Sequence, residues 1–305
     1  MTEKKNLGKR LKRFIPLYLM MIPGAVYLII NNYIPMTGIV IAFKQFNYGK
    51  GIWGSPFIGF KNFEFLFATK DAWIITRNTL LYNVAFIVLG TVCAIAVAIL
   101  LNEIHSSAAK KIYQTTILVP FLISIVVVSY LVYAFLSTES GFLNKTILPA
   151  LGLEPVSWYT ESKYWPFILI LVNLWKGLGY NCIIYYATLV GIDRGYYEAA
   201  VIDGANRWQQ ALHITLPMIA PTIAIMLIFA VGDIMSSNTD LILLLYNNAT
   251  MKTADVFGTY VYREGLLTGK TSLGTAIGLF ASTVNLILVF IANKCSNKIS
   301  GDGLF

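Results

Sequence analysis

The densest polar chemistry in this sequence lies in one cassette between two long apolar stretches. The cassette covers residues 198–217 and reads EAAVIDGANRWQQALHITLP. It carries Glu198 and Asp203, although only 12% of the residues in the chain are charged. Helix-forming residues on both sides of Gly204 predict two short helical segments separated by a break. A short polar helix between apolar stretches has no lipid-spanning purpose, so this pattern indicates a surface that contacts another molecule.

A second group of polar residues lies inside the apolar stretches and recurs at helical spacing. The group comprises Asn173, Lys176, Tyr180 and Asn181 in one stretch, and Asp233, Ser237 and Asp240 in the next. A charge at the bilayer centre costs about 2.5–3.5 kcal/mol on insertion scales, so each needs a reason. One interpretation is that both faces line a water-filled path for a hydroxyl-rich substrate. The other is that they join helices, for example through an ion pair from Lys176 to Asp233 or Asp240.

The sequence offers no arrangement for catalysis or metal binding. It contains two histidines and three cysteines, and none of them stands at metal-ligand spacing. The segment GLLTGKTS resembles a phosphate-binding loop, but Glu264 occupies the position where that motif needs its first glycine. We therefore expect a non-catalytic chain that itself binds neither a metal nor a cofactor.

Composition identifies the class of protein. Hydrophobic residues make up 57% of the 305 residues, and 12% charged residues is about half of what soluble domains carry. The net charge is +8, but six of the 23 basic residues lie within the first 13 positions, directly before an apolar run. That placement favours a cytoplasmic anchor over a nucleic-acid surface. The chain is predicted to be a membrane protein in contact with lipid.

Six apolar stretches are long enough to cross a bilayer, which predicts an all-α integral membrane protein. They cover residues 16–41, 79–104, 112–136, 165–190, 218–246 and 272–292. The basic residues 1–13 place the N-terminus in the cytoplasm. An even number of spans returns the tail 294–305 to the same side. The six-span region is then 14–293, and its loop 191–217, which contains the cassette, also faces the cytoplasm.

The spacing inside the cassette matches a known signature. Membrane subunits of binding-protein-dependent ABC importers carry E-A-A, three residues, G, nine residues and I-x-L-P before the fifth of six spans. This sequence has Glu198, Gly204 and Pro217 at the corresponding positions. Segments 16–43 and 174–193 also resemble the oligosaccharide and polysaccharide branch of that family, which includes the maltose permease pair. The chain is therefore similar to this branch over most of its length.

The resemblance implies a type I importer permease architecture in which the cassette is a coupling helix seated in a groove of a separate ATPase. The residues that the motif assigns to this contact are Glu198, Ala199, Ala200, Asp203, Gly204, Ile214, Leu216 and Pro217. Trp208 and Leu212 stand four residues apart, so we expect both to pack on one face toward the membrane helices.

The resemblance also implies the other components of an importer. These are a second homologous permease chain, two cytoplasmic ATPases that hold ATP and Mg²⁺, an extracytoplasmic sugar-binding protein and an oligosaccharide substrate. No nucleic acid is expected. An alternative is an ion-coupled secondary transporter in which Asp233 and Asp240 carry the ion. That alternative explains the acidic residues in the membrane but leaves the cassette without a purpose.

Overall fold

The computed structural model describes residues 2–236 and 238–300, together with the side chains of residues 14–236 and 238–298. This part of the chain is helical and contains no β-strand beyond one isolated bridge between Lys44 and Phe57. The main helices are α1 (Thr2–Leu28), α2 (Lys70–Glu103), α3 (Ser107–Leu122), α4 (Ile125–Leu136), α5 (Trp165–Val190), α6 (Arg194–Ile202), α7 (Arg207–Gly232), α8 (Thr239–Leu245) and α9 (Thr271–Ser300).

Shorter helical turns fill the connections. Helix α1 continues without a gap through a π-helical turn, a short α-helical turn and a 3₁₀ turn: Ile29–Tyr33, Ile34–Met36 and Thr37–Phe43. The remaining turns are Gly51–Gly54, Lys61–Phe63, Phe65–Ala68, Leu143–Ile147, Leu148–Ala150, Ser162–Tyr164, Met251–Ala254, Phe257–Tyr260 and Val261–Leu267.

The predicted number of spans agrees with the helices. Among the described residues, five helices are long and apolar enough to cross a membrane, and α3 with α4 supplies a sixth if that bent pair counts as one span. The prediction of an uninterrupted third span over 112–136 is wrong, because α3 and α4 meet at an angle of 96°. Ser124 starts α4 as its N-cap, since its hydroxyl accepts the Val127 N–H at 3.3 Å.

The fifth span also differs from its prediction. We expected one helix over 218–246, but α7 ends at Gly232 and a second helix, α8, begins only at Thr239. The fourth predicted span, 165–190, coincides with α5. Hydropathy therefore locates α5 closely, whereas α2 and α7 begin earlier than their apolar stretches and hydropathy alone does not reveal where an apolar helix breaks.

The spanning helices pack in pairs. Helix α5 lies against both α2 and α3, and α7 lies against α9. A Cβ atom at Gly179 would sit 2.2 Å from the carbonyl oxygen of Ile117, so only glycine permits the approach of α5 to α3. Clusters of buried side chains lie toward each end of the bundle. One contains Ala94, Cys182, Tyr185 and Ile219, and another contains Tyr82, Trp165, Leu169 and Leu241.

Helix α1 differs from the other spans because the rest of the described chain leaves it uncovered. No side chain from residue 14 to residue 37 is buried. Contact with the bundle begins at the turn Thr37–Phe43, which packs against α9. This apolar helix is available to lipid or to another subunit.

Candidate coupling and translocation sites

The loop 191–217, here called the coupling segment, begins with the short helix α6. Asp193 caps this helix, because its carboxylate accepts the Gly195 N–H at 3.0 Å. The helix ends at Asp203, and Gly204 follows with φ of +80°, a left-handed conformation that favours glycine. The predicted helix, break and second helix within the cassette are therefore all present.

A capping box starts the second helix of the segment. The Asn206 side chain accepts the Gln209 N–H at 2.9 Å, and the Gln209 side chain accepts the Asn206 N–H at 2.8 Å. Helix α7 then runs from Arg207 to Gly232 without interruption. Pro217 is the second residue of the regular α-helical part of this span, Leu216–Gly232. Because proline lacks the N–H that would close a regular α-helical turn, the chain passes through the π-helical turn Ala211–Thr215 just before it.

The residues assigned to ATPase contact lie on this segment with different exposure. Glu198, Ala199, Asp203, Gly204 and Pro217 are exposed, and Ala200, Ile214 and Leu216 are half-buried. Between α6 and the start of α7 lies a cavity of about 320 Å³. Its lining includes Ala200, Asp203, Gly204, Gln209, His213 and Ile214. The segment is thus a folded element with an open face.

Exposed apolar side chains mark that open face. Ile202 is 86% exposed and Trp208 is 73% exposed. The expectation that Trp208 and Leu212 pack against the membrane helices is wrong, since Leu212 is exposed too. Large apolar side chains on a polar loop indicate a surface that another protein covers.

The second site is a pair of adjoining cavities between α2, α5 and α7, with volumes of about 220 Å³ and 390 Å³. They share Phe86, Gly90, Asn173, Asn181 and Asn238. The smaller also has Lys176 in its wall, and the larger has Asn83, Thr91, Tyr185 and Asp233. Most of the polar side chains that were singled out in the fourth span therefore meet at one place.

Asn173 joins this cavity to the break between α7 and α8. The Asn238 side-chain amide donates to the Asn173 Oδ1 at 2.9 Å. Asn83 donates to the Thr79 carbonyl at 2.8 Å and also lines the larger cavity.

Lys176 holds the bend between α3 and α4. Its ammonium donates to the carbonyl oxygens of Phe121 at 3.2 Å and Ile123 at 2.7 Å. These carbonyls lie at the end of α3, where a helix leaves backbone acceptors without partners and a cation is favoured. The interpretation that Lys176 joins helices is supported by this geometry, but the ion pair with Asp233 or Asp240 is not formed in the described part of the chain.

Tyr180 is not in the wall of either cavity, but it stacks on Phe121, which is in the wall of the smaller one, with ring centroids 4.8 Å apart. It supports the same bend that Lys176 holds.

The acidic residues predicted to share one helical face do not share a helix. Asp233 follows the last residue of α7 and lines the larger cavity, whereas Asp240 lies in the first turn of α8 and is exposed. Ser237 lies outside the described residues. The predicted face required a continuous helix through positions 233–240, and the chain breaks there.

Sequence reasoning missed the contribution of α2 to the cavity. Asn83, Gly90 and Thr91 all line it. Positions 83 and 90 are two helical turns apart, so their shared face was available from spacing alone. The position of Asn238 in the cavity wall could not be predicted from spacing, because it depends on the helix break before α8.

Comparison with known proteins identifies the family. The family model "Binding-protein-dependent transport system inner membrane component" matches residues 86–300. The chain belongs to this family. It is a multi-pass membrane permease subunit with the type I ABC importer architecture.

Individual relatives cover nearly all of the chain. Protein LplB of Bacillus subtilis (strain 168) is 36% identical over 97% of this chain and 92% of its own length. The polygalacturonan/rhamnogalacturonan transport system permease protein YteP of the same organism is 36% identical over 99% of this chain and 94% of its own length. A crystal structure of a bacterial ABC transporter that imports the acidic polysaccharide alginate contains a chain with a TM-score of 0.89. That chain is 38% identical, and the match covers 97% of this chain and 99% of that one.

Proposed function

We propose that this chain is one of two similar permease subunits in an ATP-driven importer of oligosaccharides or polysaccharide fragments. In this proposal both chain termini and the coupling segment face the cytoplasm. Two separate ATPase subunits hold ATP and Mg²⁺, and this chain is non-catalytic. An extracytoplasmic binding protein delivers the sugar. A related alginate importer has been crystallised with an alginate pentasaccharide-bound periplasmic protein, which supports that partner.

The observation that carries the proposal is the amide-lined cavity inside an apolar bundle. Asn83, Asn173, Asn181 and Asn238 surround it, and Phe86 lies in both halves. Each side-chain amide can donate and accept hydrogen bonds, as sugar hydroxyls require. Aromatic rings offer apolar faces that match the C–H faces of sugar rings. Polar groups of this kind in a membrane bundle are associated with a substrate pathway.

The coupling segment supplies the link to ATP. Binding of ATP would close the two ATPases and move α6, which sits between the spans α5 and α7. Because the coupling segment is continuous with both helices, and both line the cavity, their movement would change the side from which the cavity is open. This is alternating access driven from outside the chain. An ion-coupled mechanism would leave the exposed apolar face of the coupling segment unused.

Acidic oligosaccharides are the first substrates to test. YteP is described by its transport of polygalacturonan and rhamnogalacturonan, and the crystallised relative imports alginate. The cavity of this chain holds the cation of Lys176 in its smaller part, which is compatible with an acidic sugar.

Co-purification from the native host tests the coupling assignment. We expect the tagged wild-type chain to bring down a second permease and an ATPase after gentle solubilisation. Gly204→Asp should lose the ATPase but keep the second permease, because any side chain strains the left-handed position and the new charge alters the docking face.

Gly152→Asp is the matched control. Gly152 also has a positive φ, +68°, with open space around it, but it lies in the loop between α4 and α5. It should keep the ATPase. A wild-type chain that purifies alone, or a Gly204→Asp chain that keeps its ATPase, would contradict the coupling assignment.

A further inference from the structure

Helix α6 is held to the rest of the subunit by very few side-chain contacts. None of its residues is buried. Its two ends are turns, one capped by Asp193 and the other at Gly204. A force on such a helix would rotate it about its ends unless a further contact joined it to the spanning helices.

One side chain supplies that connection. The Tyr197 hydroxyl lies 2.9 Å from the Thr215 Oγ1. Thr215 is 4% exposed and belongs to α7, in the π-helical turn that precedes Pro217. In the described part of the chain this is the side-chain hydrogen bond that joins α6 to a spanning helix. Tyr197 directly precedes Glu198, at the start of the predicted ATPase contact.

We propose that Tyr197 is a positioning residue that transmits movement of α6 to the fifth span through its hydrogen bond to Thr215. The inference rests on the proposed function, because it assumes that the ATPase acts on α6. With the bond in place, α6 and the start of α7 move as one body. Without it, α6 can tilt while α7 stays where it is, so ATP is hydrolysed with less movement of the cavity.

The bond is suited to this role because it is partly shielded from water. Tyr197 is half-buried and Thr215 is buried, so water competes less for the two hydroxyls than it would at an exposed pair. The start of α7 is held by local hydrogen bonds, since Asn206 and Gln209 form the capping box and the Gln210 amide donates to the Ala205 carbonyl at 3.0 Å. A displacement of Tyr197 therefore reaches the helix rather than being absorbed in the turn.

The experiment measures cavity movement per ATPase event without needing the natural sugar. Membrane vesicles from the native host would carry the tagged chain with its three cysteines replaced and Ala230→Cys introduced, since Ala230 lines the larger cavity. A charged maleimide reports how accessible that cysteine is, with and without ATP and vanadate. Nucleotide trapped by vanadate is measured in the same sample.

We expect Tyr197→Phe to leave the trapped nucleotide unchanged. The ATP-dependent change in labelling rate per trapped nucleotide should fall about three- to tenfold, the range expected for loss of one neutral hydrogen bond. Thr215→Val should act like Tyr197→Phe, and Thr215→Ser should retain most of the wild-type change. The double variant should be no worse than either single variant, because both remove the same bond.

Tyr196→Phe is the matched control, since Tyr196 is the neighbouring tyrosine on α6 and is 54% exposed. It should behave as wild type. An unchanged labelling response in Tyr197→Phe would overturn the inference, and so would loss of the ATPase from that variant, which would make Tyr197 a docking residue. If the parent with Tyr197 intact shows no ATP-dependent labelling change, the proposed function itself fails.

Discussion

The two ends of the helical bundle are built differently. The coupling segment lies at the end where α2 and α5 finish. The segment 246–271, here called the distal segment, lies at the other end, where Asn78 and Tyr82 near the start of α2 donate to its backbone carbonyls. The distal segment is folded by its own buried polar contacts, whereas the coupling segment leaves its main helix uncovered.

An ion pair between the buried Asp255 and the half-buried Arg263 organises the distal segment. Asp255 is 5% exposed, and its carboxylate accepts hydrogen bonds from Arg263 at 2.8 Å and 3.2 Å. Thr259 donates to the same carboxylate at 2.7 Å. Burial alone would lower the pKa of Arg263, but the hydrogen bonds and charge of Asp255 raise it overall, so the arginine stays charged.

The difference is that one end buries its polar and apolar groups within this chain, and the other leaves them exposed. The distal segment satisfies its charges within the chain. The coupling segment exposes Ile202 and Trp208 and has no buried residue on α6. A change in the distal segment should therefore appear as loss of the protein, and a change in the coupling segment as loss of a partner.

The largest expected effect is on Asp255. Asp255→Ala should destabilise the chain by about 3 kcal/mol, the lower end of the range for breaking a buried pair, because it leaves the half-buried Arg263 cation without its partner. Thermal unfolding in mild detergent, together with the yield of monodisperse protein, measures the loss. Asp203→Ala in the coupling segment is the control and should change the free energy of unfolding by less than about 0.5 kcal/mol. Equal losses in both variants would remove the distinction between the two ends.

Next in size is Ile202→Glu, which should leave the protein yield unchanged. If Ile202 is buried against the ATPase, losing that burial removes about 1.5–3 kcal/mol, or roughly ten- to a hundredfold in affinity. The measurement is the amount of ATPase recovered per permease in a pull-down. Leu153→Glu, at an exposed leucine between α4 and α5, should keep its ATPase. Normal recovery with Ile202→Glu would show that the apolar face is not the docking surface.

Replacing Lys176 tests whether the stability of the bundle between the two ends depends on this one cation. Lys176→Met should destabilise the chain by about 1–3 kcal/mol, because the carbonyls of Phe121 and Ile123 lose their donor. Lys176→Arg should recover most of the stability. The measurement is thermal unfolding beside transport of oligogalacturonides. Normal stability with failed transport would instead assign Lys176 to substrate contact.

The smallest expected effect belongs to Glu264, at the exposed edge of the distal segment. Its carboxylate accepts a hydrogen bond from Lys270 at 2.7 Å, which lowers the pKa of Glu264. Glu264→Gln should cost less than about 1 kcal/mol. Because the folded-state pKa lies below the unfolded one, this contribution is complete at neutral pH and is lost as pH falls through the folded pKa. A stability difference between wild type and variant that grew on acidification would contradict this.

Local signals were sufficient for the coupling segment and for the fourth span. The helix, the left-handed break at Gly204 and the second helix follow from neighbouring residues, and α5 matches its apolar stretch because nothing interrupts it. The assignments of ATPase-contact and substrate-path residues stay predictions.

Breaks inside the spans were not predictable in the same way. The bend between α3 and α4 is stabilised by Lys176, 53 residues from Ile123 in sequence. The gap before α8 is bridged by Asn238 to Asn173, 65 residues apart. Hydropathy averages over a window and contains no information about such distant contacts.

The crossing of α3 and α5 at Gly179 limits how the bundle can move. Main chain meets main chain there, and no side chain stands between the Gly179 Cα and the Ile117 carbonyl that could repack. The two helices can neither approach further nor slide without a clash, but they can change their crossing angle about this point. The contact lies beside the smaller cavity, since Gly177, Leu178 and Asn181 are in its wall, so a larger residue at position 179 would push α3 away from α5 next to that cavity.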